Sequence, residues 1–257
     1  MGNQSIAVVI PAYKVSAHIL GVLREIGPEV THIFVVDDAC PEGSGKVAGK
    51  AKDKRVKVLT HSVNQGVGGA VITGYRAALE AGVHYIDMAT SLSIPDAANP
   101  YTVPGLMLGS YQEERKKLWE DRGKLALIGM GMDPGLSNIF AAYAKKWTFD
   151  DISAVHVRDG GDLRIEGYPF ATVFSLWTVI EECLNPPIVW RNGKIEVREP
   201  FSEPEDFVFP EGVGPVMCVN VEHEEVIQLP RSMKADVITF KYALEIGRAS
   251  CRERVSS

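Results

Sequence analysis

The stretch GYRAALEAGVHYIDMAT, residues 74–90, decides the fold because it begins with the periodicity of a helix and ends with that of a strand. Gly82 ends the helical part, and HYIDMAT follows as a short, mostly apolar run that is expected to join the same sheet as the earlier strands. The residues that precede this strand and those that follow it suggest different enzymes. What the strand carries at its end therefore distinguishes the possible functions.

The residues before this stretch alternate between strands and helices. Short β-branched runs predict buried parallel strands, and segments with apolar residues at helical spacing predict helices between them. The strands are SIAVVIPAY (5–13), HIFVVDD (32–38) and RVKVLTH (55–61), and the helices are VSAHILGVLREIG (15–27), KVAGKAKDK (46–54) and GGAVITGYRAALEAG (68–82). The alternation predicts an α/β fold, with a Rossmann-like, mostly parallel sheet that binds ligands at the carboxyl ends of its strands.

Composition restricts the class of protein. The chain has 257 residues, a net charge of −6 and 46% hydrophobic residues, which is typical of a globular protein and argues against nucleic acid as the main partner. No apolar run is long enough for a membrane span and no signal peptide is evident, so a cytoplasmic location is expected. The four cysteines show no C-x-x-C spacing, and no metal ligands are assigned. A small-molecule substrate is expected, and the oligomeric state is left open.

Three motifs in the first eighty residues carry a resemblance. VVIPAYK (8–14), IFVVDDACPEGSG (33–45) and NQGVGGAVITGYRAALEAG (64–82) resemble the nucleotide-binding half of family-2 glycosyltransferases of the dolichyl-phosphate-mannose-synthase type. The resemblance implies a nucleotide sugar containing UDP or GDP. It also implies a set of nucleotide-binding residues, namely Pro11, Ala12, Tyr13, Asp37, Asp38, Asn64 and Gly66. The alternative for Asp37 and Asp38 is that they only cap the next turn.

A dinucleotide fingerprint is the competing interpretation of the glycine-rich loop. The loop follows a strand, opens a helix, and precedes Asp87 by about 20 residues, as that fingerprint requires. However, Gly66, Gly68 and Gly69 form G-x-G-G instead of G-x-G-x-x-G, and the loop follows the third strand instead of the first. NAD binding at this loop is therefore the weaker hypothesis.

The strand at 84–90 departs from the glycosyltransferase pattern. In that family it ends in D-x-D, a carboxylate pair for a divalent ion, but Asp87 has no acidic partner two residues away. From residue 81 onward the chain resembles the saccharopine dehydrogenase and reductase family instead. The segments that carry this resemblance are AGVHYIDMAT (81–90), LALIGMGMDPGLSNIFAAYA (125–144), VRDGGDLRIEGYPFATVFSLWTVIEECLNPP (157–187) and EPFSEPEDFVFPEGVGPVMCVNVEHEEVIQLPR (199–231).

This second resemblance implies an α+β substrate-type domain, NAD or NADP as cofactor, and hydride transfer at an amino-acid carbon bonded to nitrogen. The candidate catalytic residues are Asp133, in the motif G-M-D-P-G, Arg158 as a carboxylate clamp, and His223 as a proton carrier. Asp133 is equally well interpreted as a helix N-cap, with Pro134 in the first helical turn. Arg158 and His223, with Glu222, are also consistent with ordinary polar residues at strand ends. The family's own nicotinamide-binding motif is missing.

The sequence therefore predicts a chimera. A glycosyltransferase-like nucleotide-binding half occupies residues 1–82, a saccharopine-dehydrogenase-like region occupies 83–244, and a non-native tail occupies 245–257. EIGRASCRERV (245–255) resembles a translated sequencing adapter, which suggests an assembled or metagenomic reading frame, and the tail is expected to be disordered or exposed. The chain is expected to be inactive as it stands. The runner-up is a family-2 glycosyltransferase that uses a nucleotide sugar.

Overall fold

The structure is a computed structural model that describes residues 5–88, 90–160, 176–210 and 213–243. The adapter-like tail and part of the predicted substrate region, 161–175, lie outside the described residues. The chain divides into two compact units. Unit 1 comprises Met1–Leu92 and Ser110–Ile128, and unit 2 comprises Ser93–Gly109 and Gly129–Ser257. The boundary predicted at residue 82 concerns sequence ancestry and stays a prediction.

Unit 1 contains a parallel three-stranded sheet in the order β1-β2-β3. Its strands are β1 (Ile6–Ala12), β2 (Val30–Asp37) and β3 (Val56–Thr60), and its helices are α1 (Ile19–Glu25), α2 (Ser44–Ala48) and α3 (Gly66–Ala81). The predicted alternation of strands and helices is confirmed here. Gly82 ends α3 in the left-handed conformation, with φ of 66°, and its N–H returns to the carbonyl oxygens of Ala78 and Leu79.

The strand that follows α3 does not extend this sheet. β4 (Tyr85–Ile86) is two residues long and pairs in parallel with β5 (Ala126–Leu127) as a separate two-stranded sheet. The expectation that residues 84–89 join the sheet of β1 and β2 is therefore wrong. A cavity of about 820 Å³, lined by residues of β1 on one side and of 84–88 on the other, lies where the ladder between the two strands would form.

The segment 106–123, predicted as one charged helix, forms two short helices, α4 (Ser110–Glu113) and α5 (Lys116–Glu120). They are separated at Glu114 and Arg115, and the guanidinium of Arg115 folds back over the ring of Tyr111 at 3.6 Å from its centroid. At the break the N–H of Arg115 donates to the carbonyl oxygen of Gln112 at 3.0 Å, three residues earlier instead of four.

Unit 2 is built on a six-stranded, mostly antiparallel sheet in the order β8-β7-β11-β10-β9, with β6 parallel to β11. The strands are β6 (Ala154–Asp159), β7 (Ile188–Arg191), β8 (Lys194–Val197), β9 (Glu205–Phe209), β10 (Gly214–Asn220) and β11 (Val237–Ala243). The sequence R-N-G at 191–193, between two strand-like runs, predicts a hairpin turn, and Asn192 and Gly193 confirm it by turning the β7–β8 hairpin with φ of 48° and 83°.

Helices complete unit 2, and each packs through an apolar core against the sheet or a neighbouring helix. They are α6 (Leu136–Trp147), α7 (Leu176–Leu184), α8 (Glu225–Gln228) and a 3₁₀ turn at Leu229–Arg231. Phe240 and Ile238 of β11 are fully buried and anchor two adjoining clusters of this core. A parallel sheet followed by an antiparallel-sheet domain confirms the predicted mixed α/β class. None of the described helices has the length and apolar character that crossing a membrane requires.

Candidate functional site

The carboxyl ends of the three parallel strands converge in unit 1. Ala12 of β1 is in register with Asp37 of β2, which is in register with Thr60 of β3. The N–H of Asp38 donates to the carbonyl oxygen of Ala12 at 3.2 Å, and the N–H of His61 donates to that of Asp37 at 2.9 Å. The predicted nucleotide-binding residues at the strand ends therefore lie together at one edge of the sheet.

Asp37 holds the turn after β2. Its Oδ1 accepts the N–H of Cys40 at 2.7 Å, and its Oδ2 accepts the N–H of Gly45 at 2.5 Å. The approach is so close that a Cβ on Gly45 would lie 2.5 Å from Asp37 Oδ2. Both carboxylate oxygens of this buried residue are thus used inside the protein, which corresponds to the turn-capping alternative.

Asp38 is bound differently. Its Oδ1 accepts the N–H of Gln65 at 2.8 Å and lies 2.7 Å from Nδ1 of His61. Its backbone carbonyl accepts the side-chain amide of Asn64 at 3.1 Å. Among the described residues no donor reaches Oδ2. The carboxylate is buried, and hydrogen bonds fix it through one of its two oxygens.

His61 connects Asp38 to α3. Its Nε2 lies 2.8 Å from Oγ1 of Thr73, and that hydroxyl also donates to the carbonyl oxygen of Gly69 at 3.1 Å. A carboxylate oxygen only accepts, so Nδ1 of His61 is the donor in its bond to Asp38, and the hydroxyl of Thr73 lies between Nε2 of His61 and the carbonyl oxygen of Gly69. The sequence placed His61 at a strand end but did not assign it to the site, since nothing in the sequence pairs it with Thr73.

The residues at the end of β1 form the rim of this edge. Ala12 is fully buried, whereas Tyr13 is 44% exposed. Lys14 has a positive φ of 55°, and its N–H donates to Sγ of Cys40 at 3.1 Å, which ties the rim to the turn after β2. Tyr13 consequently presents its ring to solvent next to Pro11 and Ala12.

The glycine-rich loop does not fit a nicotinamide dinucleotide. Gly66 starts α3 with φ of 75°, and its N–H donates to Oδ1 of Asn64 at 3.1 Å. A Cβ added to Gly66 or Gly68 would meet nothing within 4 Å, so neither glycine is needed for close backbone approach within the protein. Gly69 does have a packing reason, because its Cβ would lie 2.4 Å from Cβ of Gln65. The turn after β1, where the dinucleotide motif belongs, has no glycine between Pro11 and His18.

Asp87, the acid at the end of β4, does not fit a divalent metal. Its Oδ2 accepts the hydroxyl of Tyr85 at 2.6 Å and its Oδ1 accepts the N–H of Met88 at 2.7 Å. Within the described residues it belongs to no group of three metal-binding side chains. Both oxygens of Asp87 are therefore engaged by donors of its own segment.

In unit 2 the G-M-D-P-G motif forms a tight loop before α6. The Asp133–Pro134 peptide bond is cis, and the N–H of Gly131 donates to the carbonyl oxygen of Pro134 at 2.8 Å. Gly135, with φ of 135°, is the N-cap of α6, and its N–H donates to Oδ1 of Asn138 at 3.0 Å. Asp133 is therefore not the N-cap, and Pro134 precedes the first turn instead of lying in it.

Asp133 belongs to a group of acids near His223. Burial, followed by the charge of Asp159, raises the pKa of Asp133 to about 6. Burial likewise raises the pKa of Asp159 and raises that of Glu182 to about 7. Oε2 of Glu182 accepts the hydroxyl of Tyr242 at 2.6 Å. After burial, the charge of Asp159 contributes to the raised pKa of Asp133, and the charge of Asp133 contributes to the raised pKa of Glu182.

His223 is buried in this acidic region. Its ring stacks on Phe240 at 3.6 Å and 4°, and Nδ1 lies 2.5 Å from Oε2 of Glu225 and 3.5 Å from Glu224. Burial alone would lower the pKa of His223, but the hydrogen bond and charge of Glu225, with the charge of Glu224, raise it to about 9. These three side chains are close enough to hold a cation together, although Nδ1 is already bonded to Glu225.

Hydrogen bonds from neighbouring polar residues hold the side chains of Glu225 and Glu222 in place. The hydroxyl of Ser137 on α6 donates to Oε1 of Glu225 at 2.6 Å. Glu222 is buried, and its two oxygens accept the hydroxyl of Ser93 at 2.7 Å and the amide of Asn185 at 3.1 Å. Internal donors thus satisfy Glu222, and Ser137 faces α8 instead of an open ligand site.

Arg158 lies in the sheet of unit 2, engaged by internal partners. Its Nε is bonded to Oε1 of Glu205, and its Nη1 donates to the carbonyl oxygen of Val157 at 2.8 Å and to Thr239 at 3.1 Å. Lys241 binds Oε2 of the same Glu205 at 2.7 Å. These hydrogen bonds and charges, Arg158 first, lower the pKa of Glu205 to about 2. The arrangement brings Arg158 into an ion network across the strands, not to Asp133 or His223.

Comparisons with known proteins divide the chain between two classes. A model of the family described as Glycosyl transferase family 2 matches residues 7–87, which end one residue after β4. The undecaprenyl-phosphate mannosyltransferase of Micrococcus luteus is 36% identical over 104 residues, which are 38% of this chain and 41% of that protein.

Two further relatives have the names of oxidoreductase-like enzymes. The carboxynorspermidine synthase of Vibrio alginolyticus is 31% identical over 166 residues, 64% of this chain and 38% of that protein. The carboxyaminopropylagmatine dehydrogenase of Synechocystis sp. is 31% identical over 159 residues, 61% of this chain and 37% of that protein. The chain spans about two fifths of the length of these curated relatives.

Among solved structures, oxidoreductase yvaA from Bacillus subtilis covers 94% of this chain and 65% of its own, with 12% identity and a TM-score of 0.32. An oxidoreductase from Klebsiella pneumoniae covers 92% of this chain and 63% of its own, with 14% identity and a TM-score of 0.31. Similarity at this level supports no inference about function.

Proposed function

We propose that the chain joins a family-2 glycosyltransferase-like nucleotide-binding segment, residues 1–82, to a saccharopine-dehydrogenase-like region, residues 83–244. The glycosyltransferase match at 7–87 and relatives from both classes support this join. β4 pairs with β5 and not with β1, which is contrary to the single sheet expected of a join at this point, so the proposal rests on the sequence comparisons. In this proposal the chain binds ligands at two sites and turns over neither parent's substrate.

The site in unit 1 recognises the base of a nucleoside diphosphate through Asp38. The observation that carries this is the asymmetry of its carboxylate, in which His61 and Gln65 fix Oδ1 while Oδ2 has no donor among the described residues. A carboxylate oxygen accepts the imide hydrogen of uracil or the amine and imide hydrogens of guanine. UDP and GDP are therefore the ligands expected, with the ring of Tyr13 beside the base and Asn64 and Gly66 towards the phosphates.

Sugar transfer and hydride transfer are not expected from these residues. Asp87 has both oxygens bonded within the protein, and it lacks the acidic partner two residues away that the D-x-D pair of a glycosyltransferase supplies. The Gly66–Gly68–Gly69 loop follows the third strand and does not form the dinucleotide motif. NAD or NADP, implied by the longer resemblance, thus has no matching site in the glycosyltransferase-like segment.

A second ligand class is favoured by unit 2. The names of the relatives refer to carboxylated polyamines and agmatine, which are amines. Half-buried acids whose pKa values are raised, namely Asp133, Asp159 and Glu182, would each become ionised more easily beside a bound ammonium group. We infer that a cationic amine of an amino-acid-like substrate is bound near these acids, with His223 holding a proton there.

Calorimetric titration with UDP and GDP tests the proposal for unit 1. We expect binding of millimolar order, about 4 kcal/mol, that Asp38→Asn abolishes. Glu80→Gln, which neutralises an exposed acid on α3, is the matched control and should bind as the wild type does. Equal binding by the Asp38 variant would exclude Asp38 as the base-recognition residue.

A further inference from the structure

Helix α6 in unit 2 exposes its large apolar side chains. Phe140, Tyr143 and Trp147 are 63%, 61% and 67% exposed, and Ile139 is 50% exposed. At 100° per residue these four positions fall on one face of the helix. Phe149, two residues beyond the helix and 57% exposed, follows them. We call these five residues the α6 stripe.

The opposite face of α6 is small and polar, and it is the face that packs on the protein. Ser137 and Asn138 donate to Glu225 and Gln228 of α8 at 2.6 and 3.1 Å. Nζ of Lys145 donates to the carbonyl oxygen of Ser232 at 2.6 Å, and Ala141 packs on the apolar cluster around Leu229. No residue of α6 itself is fully buried.

This distribution is the reverse of that in a surface helix of a monomer, where the large apolar residues face the core. A chain that used α6 only to cover its own core would gain nothing from three aromatic residues in water. The hydrogen bonds on the inner face fix the direction of the helix, so the stripe cannot turn inward without breaking them. The stripe is therefore shaped for contact with another surface.

We propose that the α6 stripe is an interface between two copies of this chain. At roughly 150–250 Å² for each large aromatic side chain, the exposed parts of the stripe amount to about 600 Å². That area reaches the upper end of apolar patches on monomers, about 300–600 Å², and approaches the roughly 800 Å² that each partner contributes to a standard interface.

A second copy matches the stripe because a two-fold axis sets the same surface against itself. Large aromatic side chains then interdigitate from both copies, and they are the residues that dominate the energy of such contacts. Lys146 lies beside the stripe and Asp150 and Asp151 follow it, all exposed, so antiparallel copies can place opposite charges together at the rim.

Sedimentation of the full chain over a range of concentrations tests the proposal. We expect the wild type to form dimers and Tyr143→Glu with Trp147→Glu to raise the dissociation constant at least about 30-fold, as loss of one dominant interface residue does. Leu118→Glu, which places the same charge at an exposed leucine of α5, is the control and should remain dimeric.

The milder Phe140→Ser keeps the test valid if the double variant does not fold, as judged by circular dichroism, and it should also weaken the dimer. Monomeric wild type at about 100 μM, which would mean that the stripe is covered within one chain or left bare, would overturn the proposal. A dimer that resists Phe140→Ser and the double variant alike would overturn it too.

Discussion

The indole Nε1 of Trp119 donates a hydrogen bond to the hydroxyl of Tyr75 at 2.5 Å, and both side chains are almost fully buried. Tyr75 lies on α3, in the glycosyltransferase-like segment, whereas Trp119 lies on α5, in the region that resembles a dehydrogenase. Their rings are 5.1 Å apart, and Tyr85 of β4 packs on both. The two segments thus share one core in unit 1, even though their strands do not form one sheet.

Tyr75→Phe is expected to destabilise unit 1 by about 1–3 kcal/mol, because the buried N–H of Trp119 would lose its acceptor. Urea denaturation measures the effect. Tyr101→Phe removes the hydroxyl of an exposed tyrosine and should change the free energy of unfolding by less than about 0.5 kcal/mol. Equal effects of the two substitutions would show that the shared core does not depend on this bond.

Alanine substitutions at two glycines of α3 are expected to have opposite effects on stability. A Cβ at Gly74 would lie 2.1 Å from Cγ1 of Val9 on β1, so Gly74→Ala should cost about 1–3 kcal/mol through overpacking. A Cβ at Gly68 meets nothing within 4 Å, so Gly68→Ala should stabilise the helix by up to about 1 kcal/mol. Thermal denaturation distinguishes them, and a destabilised Gly68→Ala would mean that the loop is packed against something else.

The stability of unit 2 should fall as the pH rises from about 4 to about 9. The pKa of His223 is raised from 6.5 to about 9, so its stabilising contribution is complete below pH 6.5 and is lost as the pH rises through about 9. The pKa values of Asp133 and Glu182 are raised to about 6 and about 7. The stabilising contribution of each acid is therefore also lost as the pH rises, and this loss begins at a lower pH than that of His223. The pKa of Glu205 is lowered to about 2, so its stabilising contribution is lost as the pH falls. This opposite effect on stability is confined to acidic pH.

Urea midpoints measured from pH 5 to pH 9 check this dependence. The wild type should be most stable at the acid end of this range, about pH 5, and His223→Gln should remove most of the decline between pH 6.5 and pH 9 while lowering stability overall. A stability that rises with pH over that range would contradict the protonated state assigned to His223.

The sequence predicted those strands and turns whose conformation depends on a few neighbouring residues. The β-branched runs became β1, β2, β3 and β11, and R-N-G became the β7–β8 turn, because periodicity and turn chemistry act over a few residues. The convergence of Pro11 to Tyr13 with Asp37 and Asp38 followed from parallel topology alone.

Tertiary contacts account for what the sequence did not predict. Whether β4 joins β1 depends on how the two segments pack, and the hydropathy of HYIDMAT carries no information about that. Arg158 was assigned to a substrate because it ends a strand, but Glu205, 47 residues away, engages it. The link from His61 to Thr73 and the role of Gly135 as N-cap likewise depend on side chains and backbone angles that no local pattern specifies.

Calorimetric titration with NADP and NAD, beside UDP and GDP, tests directly whether unit 1 binds a nucleoside diphosphate or a nicotinamide dinucleotide. We expect no binding of either nicotinamide cofactor and nucleoside diphosphate binding of millimolar order at most. In a separate assay we expect no turnover of saccharopine with either cofactor. Micromolar binding of NADP or NAD that Gly68→Val abolishes would contradict it, since the Gly66–Gly68–Gly69 loop would then hold a dinucleotide and the chain would contain a working dehydrogenase cofactor site.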